Sequence, residues 1–354
     1  MGIFDDVLKD NESLFIDEIA LDYDYVPKEI PFREEQHQYI ADCIKPLFGQ
    51  RSGRNLFISG KPGIGKTVAL KHIFRELKTK TDGIIPIYIN CWKKDTSFKI
   101  VNEICEQIGY KWVQSKRTDE LMQAVVNILN RKQVVFCLDE VDKVKEVDVI
   151  YSLAEDILKK TIIMITNEKD WYAKLDSRIR SRLNAEYLEF KPYNFEETRG
   201  ILTKRLGEAF APNVFENDAF DVVVKKSYDN KDLRTGIFLM KEAGNLAEMR
   251  ASRKITLDHA KMAVLKLESF KIKSSADFGE EERDILDIIK QNSGKSAKEL
   301  FEIYLKDGGN KSYRTFYRRI EDLKRGKMID TEEVNEGFAG RATVVHYNKK
   351  LSEF

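Results

Sequence analysis

The chain has 354 residues, enough for two or three domains with separate cores, and its 42% hydrophobic and 34% charged residues describe an ordinary water-soluble protein. A formal net charge of only +1 excludes a uniformly basic nucleic-acid binder, so any such surface must be a local patch. Cys43, Cys91, Cys105 and Cys137 show no C-x-x-C pair and no His spacing suited to zinc, no run approaches the roughly 20 apolar residues of a membrane span, and the acidic opening segment does not read as a signal peptide. A cytoplasmic chain with buried thiols is expected.

Pro27 and Pro31 fence an extended arm, and 34–48 carries Tyr39, Ile40, Ile44 and Leu47 near helical spacing. Leu56, Phe57 and Ile58 then make a short apolar strand that turns through glycines into a helix. The turn, Gly60-Lys61-Pro62-Gly63-Ile64-Gly65-Lys66-Thr67, fills the pattern G-x-x-x-x-G-K-[ST] with the strand and helix that a phosphate-binding loop requires. Its glycines let backbone N–H groups face phosphate oxygens, aided by the helix dipole, with Lys66 reaching the β- and γ-phosphates and Thr67 holding Mg²⁺.

A second strand is expected over 84–90 and helices over 95–109 and 118–131, the latter capped by Thr118 and Asp119. Between the helices, Tyr110 and Trp112 interleave with Lys111, Lys116 and Arg117, a loop that either meets DNA or is simply solvated. The wholly apolar run Val134–Leu138 reads as a central parallel strand delivering Asp139 and Glu140 to the ATP site. One carboxylate there can hold the Mg²⁺ hydration shell and the other can orient or deprotonate the attacking water. This strand is expected beside the strand of the phosphate loop. A fourth strand over 161–166 ends at Asn167, and a fifth follows at 188–190. Arg178, Arg180 and Arg182 fall on alternate residues, so in a helix they do not converge on one ligand, although one can reach the γ-phosphate of a neighbouring subunit.

From 194 to 267 the pattern is helical, with expected helices at 195–210, 217–227, 231–249 and 256–267 forming a lid. Arg234 falls near the start of the third, where a cation opposes the helix dipole unless it meets an anion. A composition shift at 271–277 reads as a linker. Beyond it, helices at 278–291, 296–306 and 311–324 precede strands at 328–334 and 343–348, the plan of a winged helix. Its third helix has an apolar stripe of Tyr313, Phe316, Tyr317, Ile320 and Leu323, while Lys311, Arg314, Arg318 and Arg325 share an outward stripe. Residues 311–327 hold seven basic and two acidic side chains, a local charge of +5 suited to a major groove.

Taken in order, YVPKEIPFREEQ, GKPGIGKT, YINCW, FCLDEVD, ITN, DSRIRSRL, FKPYNFEET and KDLRTG resemble the AAA+ replication initiators of the archaeal origin-recognition and cell-division-cycle-six type. The resemblance implies an α/β fold: a P-loop AAA+ parallel sheet domain with an N-terminal arm (1–192), a helical lid (193–272) and a C-terminal winged-helix domain (273–354). It makes Lys66 and Thr67 the Walker A pair within a cradle from Gly60 to Val68, Asp139 and Glu140 the Walker B pair, Asn167 sensor one and Arg234 sensor two. It implies Val26, Pro27 and Tyr193 beside the nucleotide, and Arg182, in preference to Arg178, as a finger acting in trans. Lys116 and Arg117 lie near the family's DNA-contacting insertion, and Gly340 and Arg341 match a wing tip that enters the minor groove. The family often has Gly where Lys231 stands.

The implied activity is slow, switch-like ATP hydrolysis with ATP/ADP and Mg²⁺. The implied partners are double-stranded origin DNA, the replicative helicase and a second copy or paralogue on DNA, with no membrane, in a nucleoid-associated cytoplasmic setting. A regulatory or signalling ATPase whose winged helix binds protein shares most of these features, and a clamp-loader-like subunit is a third reading. The tripled arginines and the basic third helix favour the initiator.

Overall fold

Alternation along each strand sends side chains to opposite faces, and the central strands of this chain are apolar on both. In the computed structural model, which describes residues 13–276, 280–325, 329–335 and 341–347, these strands form a five-stranded parallel sheet: β1 (Leu56–Gly60), β2 (Ile84–Asn90), β3 (Gln133–Asp139), β4 (Lys160–Thr166) and β5 (Glu186–Phe190), in the order β2-β3-β4-β1-β5. Leu56, Ile58, Val135, Cys137, Ile163 and Ile165 face the helices Glu34–Ile44 and Lys66–Lys80. Phe57, Val134, Phe136, Leu138, Ile162 and Met164 face Ser97–Gln107, Thr118–Leu129, Asp148–Asp156 and Ser177–Leu183. Each large side chain so buried contributes roughly 1.5–3 kcal/mol. All four cysteines are free and buried within these layers, and burial raises the Cys43 thiol to about 11 and Cys91 to about 12.

The expectation that β1 and β3 are neighbours is corrected: β4 lies between them, paired with Ile163 opposite Leu56 and Ile163 opposite Cys137. The helix Lys66–Lys80 bridges the gap, because it packs across the sheet from β1 towards β2, with Leu70, Ile73 and Phe74 against Val135, Cys137 and Ile163. The inserted strand brings Asn167 to the same sheet end as Lys66 and Asp139.

The helix Phe195–Ala209 opens with a reciprocal cap in which Asn194 and Glu197 each accept from the other's backbone N–H at 2.8 Å. It is followed by Asn217–Asn230, Leu233–Met249 and Leu257–Ala276. The last of these runs through the expected linker, since Lys, Ser and Ala keep a helix going as readily as they make a loop. The two compact units of the chain are Met1–Ala263 and Val264–Phe354.

In the second unit, Glu280–Gln291, Ala297–Lys306 and Tyr313–Arg325 pack around Ile289, Leu300, Phe316, Ile320 and Leu323. The sheet β6 (Lys295–Ser296), β7 (Ile329–Asn335) and β8 (Arg341–Tyr347), ordered β6-β8-β7, completes a winged helix. Two expectations change here. Tyr313 is 43% exposed, and Lys311 precedes the helix instead of lying on its stripe. Gly340 and Lys327 lie outside the described residues.

Candidate functional site

The Gly63 and Gly65 backbones take φ of 72° and 88°, the left-handed region that glycine enters without steric cost. They turn the chain from β1 into the helix Lys66–Lys80, and Lys66 folds back over the turn. Its buried Nζ donates to Gly60 O at 2.7 Å, Lys61 O at 2.8 Å and Asn167 Oδ1 at 2.8 Å. All three partners are neutral oxygens, so the ammonium keeps its charge available to an anion. Thr67 Oγ1 donates to Asp139 Oδ2 at 2.6 Å, and Tyr88 OH donates to the same oxygen at 2.7 Å.

Glu140 follows with φ 54 and a half-buried carboxylate. Burial first, then Asp139 and Asp142, raises its pKa. Burial pulls the Lys66 ammonium down to about 8, with Asp139 opposing and Arg234 assisting the shift. The folded chain therefore gains stability as pH rises from about 8 towards the ordinary lysine value, because the unfolded chain holds the proton more tightly. An anionic ligand needs that proton, so its affinity should fall as pH rises through the same window. Titration calorimetry about one pH unit above the Lys66 value, in buffers of different ionisation enthalpy, should register net proton uptake on ATP binding. Absence of uptake would mean that free Lys66 is already charged there.

The lid meets the phosphate loop directly. Leu233 N donates to Gly63 O at 3.0 Å. Asp232 caps the helix Leu233–Met249 by accepting from Arg234 N at 2.9 Å, and its two carboxylate oxygens also accept from Arg234 Nε and Nη2 at 3.1 and 2.9 Å. The anion that Arg234 needs at a helix start is thus Asp232, two residues away, and the pairing raises the Arg234 pKa. Lys231, standing where the family often has Gly, takes φ 52, the conformation glycine would adopt. A Cβ on Gly63 would fall 1.8 Å from Asp232 Oδ1. Gly63→Ala is therefore expected to push the Asp232–Arg234 pair off the loop and cost ~1–3 kcal/mol of stability together with most ATP affinity, measurable by thermal melting and calorimetry.

A cleft of about 310 Å³ opens between sheet and lid. Pro62, Gly63, Gly65, Lys66, Thr67, Val68, Asp139, Glu140, Asn167, Tyr193 and Arg234 line it, as does Pro27 of the arm. Val26 does not; its carbonyl accepts from Arg75 Nη1 at 3.0 Å. Gly60, Lys61 and Ile64 do not line it either: the Gly60 and Lys61 carbonyls accept from Lys66 Nζ, and Ile64 is buried. Ile30, Pro31, Ile201, Leu233 and Ile237 add an apolar wall that sequence reasoning missed, as it missed Tyr88. The Pro27–Pro31 fence signals Ile30 and Pro31, YINCW signals Tyr88 and KDLRTG signals Leu233, while Ile201 and Ile237 lie outside every motif.

The remaining candidates are dispersed. Arg182 pairs with Glu155, and Arg178 pairs with Asp176 at 3.2 Å with most of its side chain exposed. Lys116 is half-buried, donating to Tyr110 OH at 2.5 Å, and Arg117 pairs with Asp119. The helix begins at Thr118 itself, with Glu120 accepting from Arg117 N at 2.9 Å, so Thr118 and Asp119 are not its caps. Trp112 is 77% exposed. In the second unit Arg314 and Arg318 are exposed on the third helix, which Arg325 ends, and Arg341 opens β8.

Comparison with known proteins follows the same division. Residues 50–170 match the model of an AAA domain, and residues 199–264 match a Cdc6 AAA+ ATPase-type lid domain. An ORC1-type DNA replication protein 2 of Archaeoglobus fulgidus is 30% identical over 94% of this chain and 89% of its own length. The chain belongs to the ORC1-type DNA replication protein family. Its namesake in Methanothermobacter thermautotrophicus is 29% identical over 96% of this chain and 93% of that one, and the Pyrococcus abyssi ORC1-type protein is 32% identical over 75% and 68%. Among solved structures, Aeropyrum pernix ORC1 in complex with DNA shares the fold with a TM-score of 0.77, at 23% identity over 96% of this chain and 95% of that one.

The ORC1-type chain therefore carries an AAA+ ATPase domain, and its site residues fit the groups such a domain uses. Thr67 Oγ1 and Asp139 Oδ2 bring two hard oxygens together, while the described residues hold no cluster of three or more His, Cys, Asp or Glu suited to a metal. Two hard oxygens beside a phosphate loop fit Mg²⁺, an ion that keeps several waters and takes phosphate oxygens in place of an all-protein cage. No helix among the described residues is long and apolar enough to cross a membrane.

Proposed function

We propose that this chain is an ATP-dependent replication initiator that binds ATP and Mg²⁺ between sheet and lid, grips origin duplex through its winged helix and AAA+ domain, and helps recruit or load the replicative helicase. The observation that carries the reading is the contact of lid and phosphate loop around Lys66: the cation touches Asn167 while the Asp232–Arg234 pair sits against Gly63. Lys66 and the loop N–H groups hold the phosphates. Thr67 and Asp139 would hold Mg²⁺, which would supply charge neutralisation at the phosphate oxygens. The Glu140 carboxylate accepts a proton from the attacking water, and Asn167 positions that water. Arg234 exchanges Asp232 for the γ-phosphate, so the lid responds to the length of the nucleotide. Hydrolysis is slow and acts as a switch between binding states, the activity that the family resemblance implies.

Pro27 and Tyr193 flank the nucleotide, with Val26 held alongside by Arg75. Arg182, released from Glu155, or Arg178 reaches the site of a second copy or paralogue. Arg314 and Arg318 face the major groove, with Lys311 just ahead of their helix, and Lys116 and Arg117 supply phosphate contacts from the AAA+ domain; Arg325 is assigned to DNA by its sequence spacing alone, and Gly340 and Arg341 by the family resemblance alone. DNA is named with relatives of this fold: the Aeropyrum pernix ORC1 structure is a DNA complex, as is that of Drosophila ORC, TM-score 0.62. The setting is the nucleoid-associated cytoplasm, and the AAA+ domain, lid and winged helix span 1–192, 193–272 and 273–354 as the resemblance implies, although the last division falls within the helix Leu257–Ala276 and the compact units divide after Ala263. A duplex mobility shift with ATP, with ADP and without nucleotide tests the reading. Nucleotide-sensitive duplex binding is expected; ATP binding with no duplex affinity would point to the regulatory ATPase instead.

A further inference from the structure

Phe32 and Arg33 join the arm to the first helix of the AAA+ domain. Phe32 takes φ 63°, which a bulky side chain seldom occupies; its N–H donates to Glu34 Oε1 at 3.1 Å, and its ring, 41% exposed, lies so close to Gly200 that a Cβ there would come within 2.9 Å of it. Arg33, the next residue, is only 5% exposed. Its Nη2 donates to Lys191 O at 2.6 Å, just beyond β5, and reaches Ile64 O at 3.4 Å inside the phosphate loop. The guanidinium also lies over the Tyr193 ring at 3.9 Å and the Phe190 ring at 5.1 Å. Its Nε is buried without a hydrogen-bond partner. Its contacts are thus carbonyl oxygens and ring faces, with no carboxylate ion pair among the described residues.

A buried cation without a counter-ion is costly unless an anion arrives to offset it. Here the cation reaches the Ile64 carbonyl of the phosphate loop, and low exposure leaves its field poorly screened. We infer that Arg33 is a positioning residue for the nucleotide: it clamps Ile64 of the phosphate loop to the 191–193 segment that leads into the lid, and its uncompensated charge favours a polyphosphate in front of the loop. The inference rests on the reading of the cleft as an ATP site.

The test uses the full chain, with ATP and ADP affinities from calorimetry and single-turnover hydrolysis at saturating ATP. Arg33→Met, which removes charge and fork at similar length, should weaken both nucleotides at least about tenfold while the saturating rate stays within about twofold, the split expected when binding is positioned and chemistry untouched. Arg33→Lys keeps the charge and should recover part of the affinity. A merely structural role would lower rate and melting temperature together, with no rescue by Lys. ATP bound by Arg33→Met within about twofold of wild type overturns the assignment. If Arg33→Met does not fold, Arg33→Gln takes its place: affinity at least about tenfold weaker supports the assignment, and affinity within about twofold of wild type overturns it. Lys66→Ala is run alongside. Its loss of ATP binding, together with wild-type affinity at Arg33→Met, would reject the Arg33 role alone, whereas a wild-type chain that binds no ATP would reject the nucleotide reading itself.

Discussion

Replacing Glu140 with Gln is expected to slow ATP hydrolysis roughly 10²–10⁴-fold, the span usual for a general base, with ATP affinity within about threefold of wild type. The expectation follows from how the two carboxylates at the end of β3 divide their contacts. Asp139 is 2% exposed, with one oxygen committed to Thr67 Oγ1 and Tyr88 OH and the other accepting from Glu140 N at 3.0 Å. Glu140 is held at φ 54 and its proton affinity is raised by burial and by the neighbouring Asp139 and Asp142. A carboxylate that binds a proton more tightly is the better base, and Gln keeps its shape while removing that capacity. Lys66→Ala should differ in kind, losing nucleotide binding because the cation over the loop is gone. Single-turnover phosphate release and calorimetry separate the two variants. Wild-type turnover in Glu140→Gln would remove Glu140 from the base role.

What could be read from the sequence was what depends on local chemistry. Gly63 and Gly65 announce their left-handed turns, Val134 to Leu138 announce a doubly covered strand, and Asn194 with Glu197 marks a helix start. Pairings between distant segments leave no such trace. Nothing in the order of strands says that β4 separates β1 from β3, because a crossover helix can skip one strand as easily as none. Tyr88 reaches Asp139 only because Asn90 and Asp139 are register partners on adjacent strands, which puts Tyr88 two residues upstream of that carboxylate's neighbour. Arg33 and Asp232 stand inside the motifs YVPKEIPFREEQ and KDLRTG, yet neither has a role in the sequence until the fold sets one on the Ile64 carbonyl of the phosphate loop and the other against Gly63. The Lys, Ser and Ala composition of 271–276 suits linker and helix equally, and local propensity alone did not decide between them.

Arg314→Ala combined with Arg318→Ala is expected to weaken duplex binding by about 10–10³-fold and to flatten its salt dependence, lowering the slope of log K against log salt by roughly 1.8 if both side chains meet phosphates. The third helix buries Phe316, Ile320 and Leu323 against the core of the winged helix, and that packing fixes which residues face out. Arg314 and Arg318 lie four apart, one helical turn, and both are exposed, so they present neighbouring cations on the outer face. Because neither side chain supports the core, the double variant should keep its melting temperature, which makes a binding loss attributable to the surface. The two modes of contact also separate in the data. Loss of phosphate contacts lowers the salt slope and weakens every duplex alike, whereas loss of base contacts leaves the slope intact and erases preference among sequences. Fluorescence anisotropy on two unrelated duplexes across a salt series reads both. Unchanged affinity and slope would take this helix out of the groove and leave the wing or the AAA+ loop around Trp112 to carry the DNA.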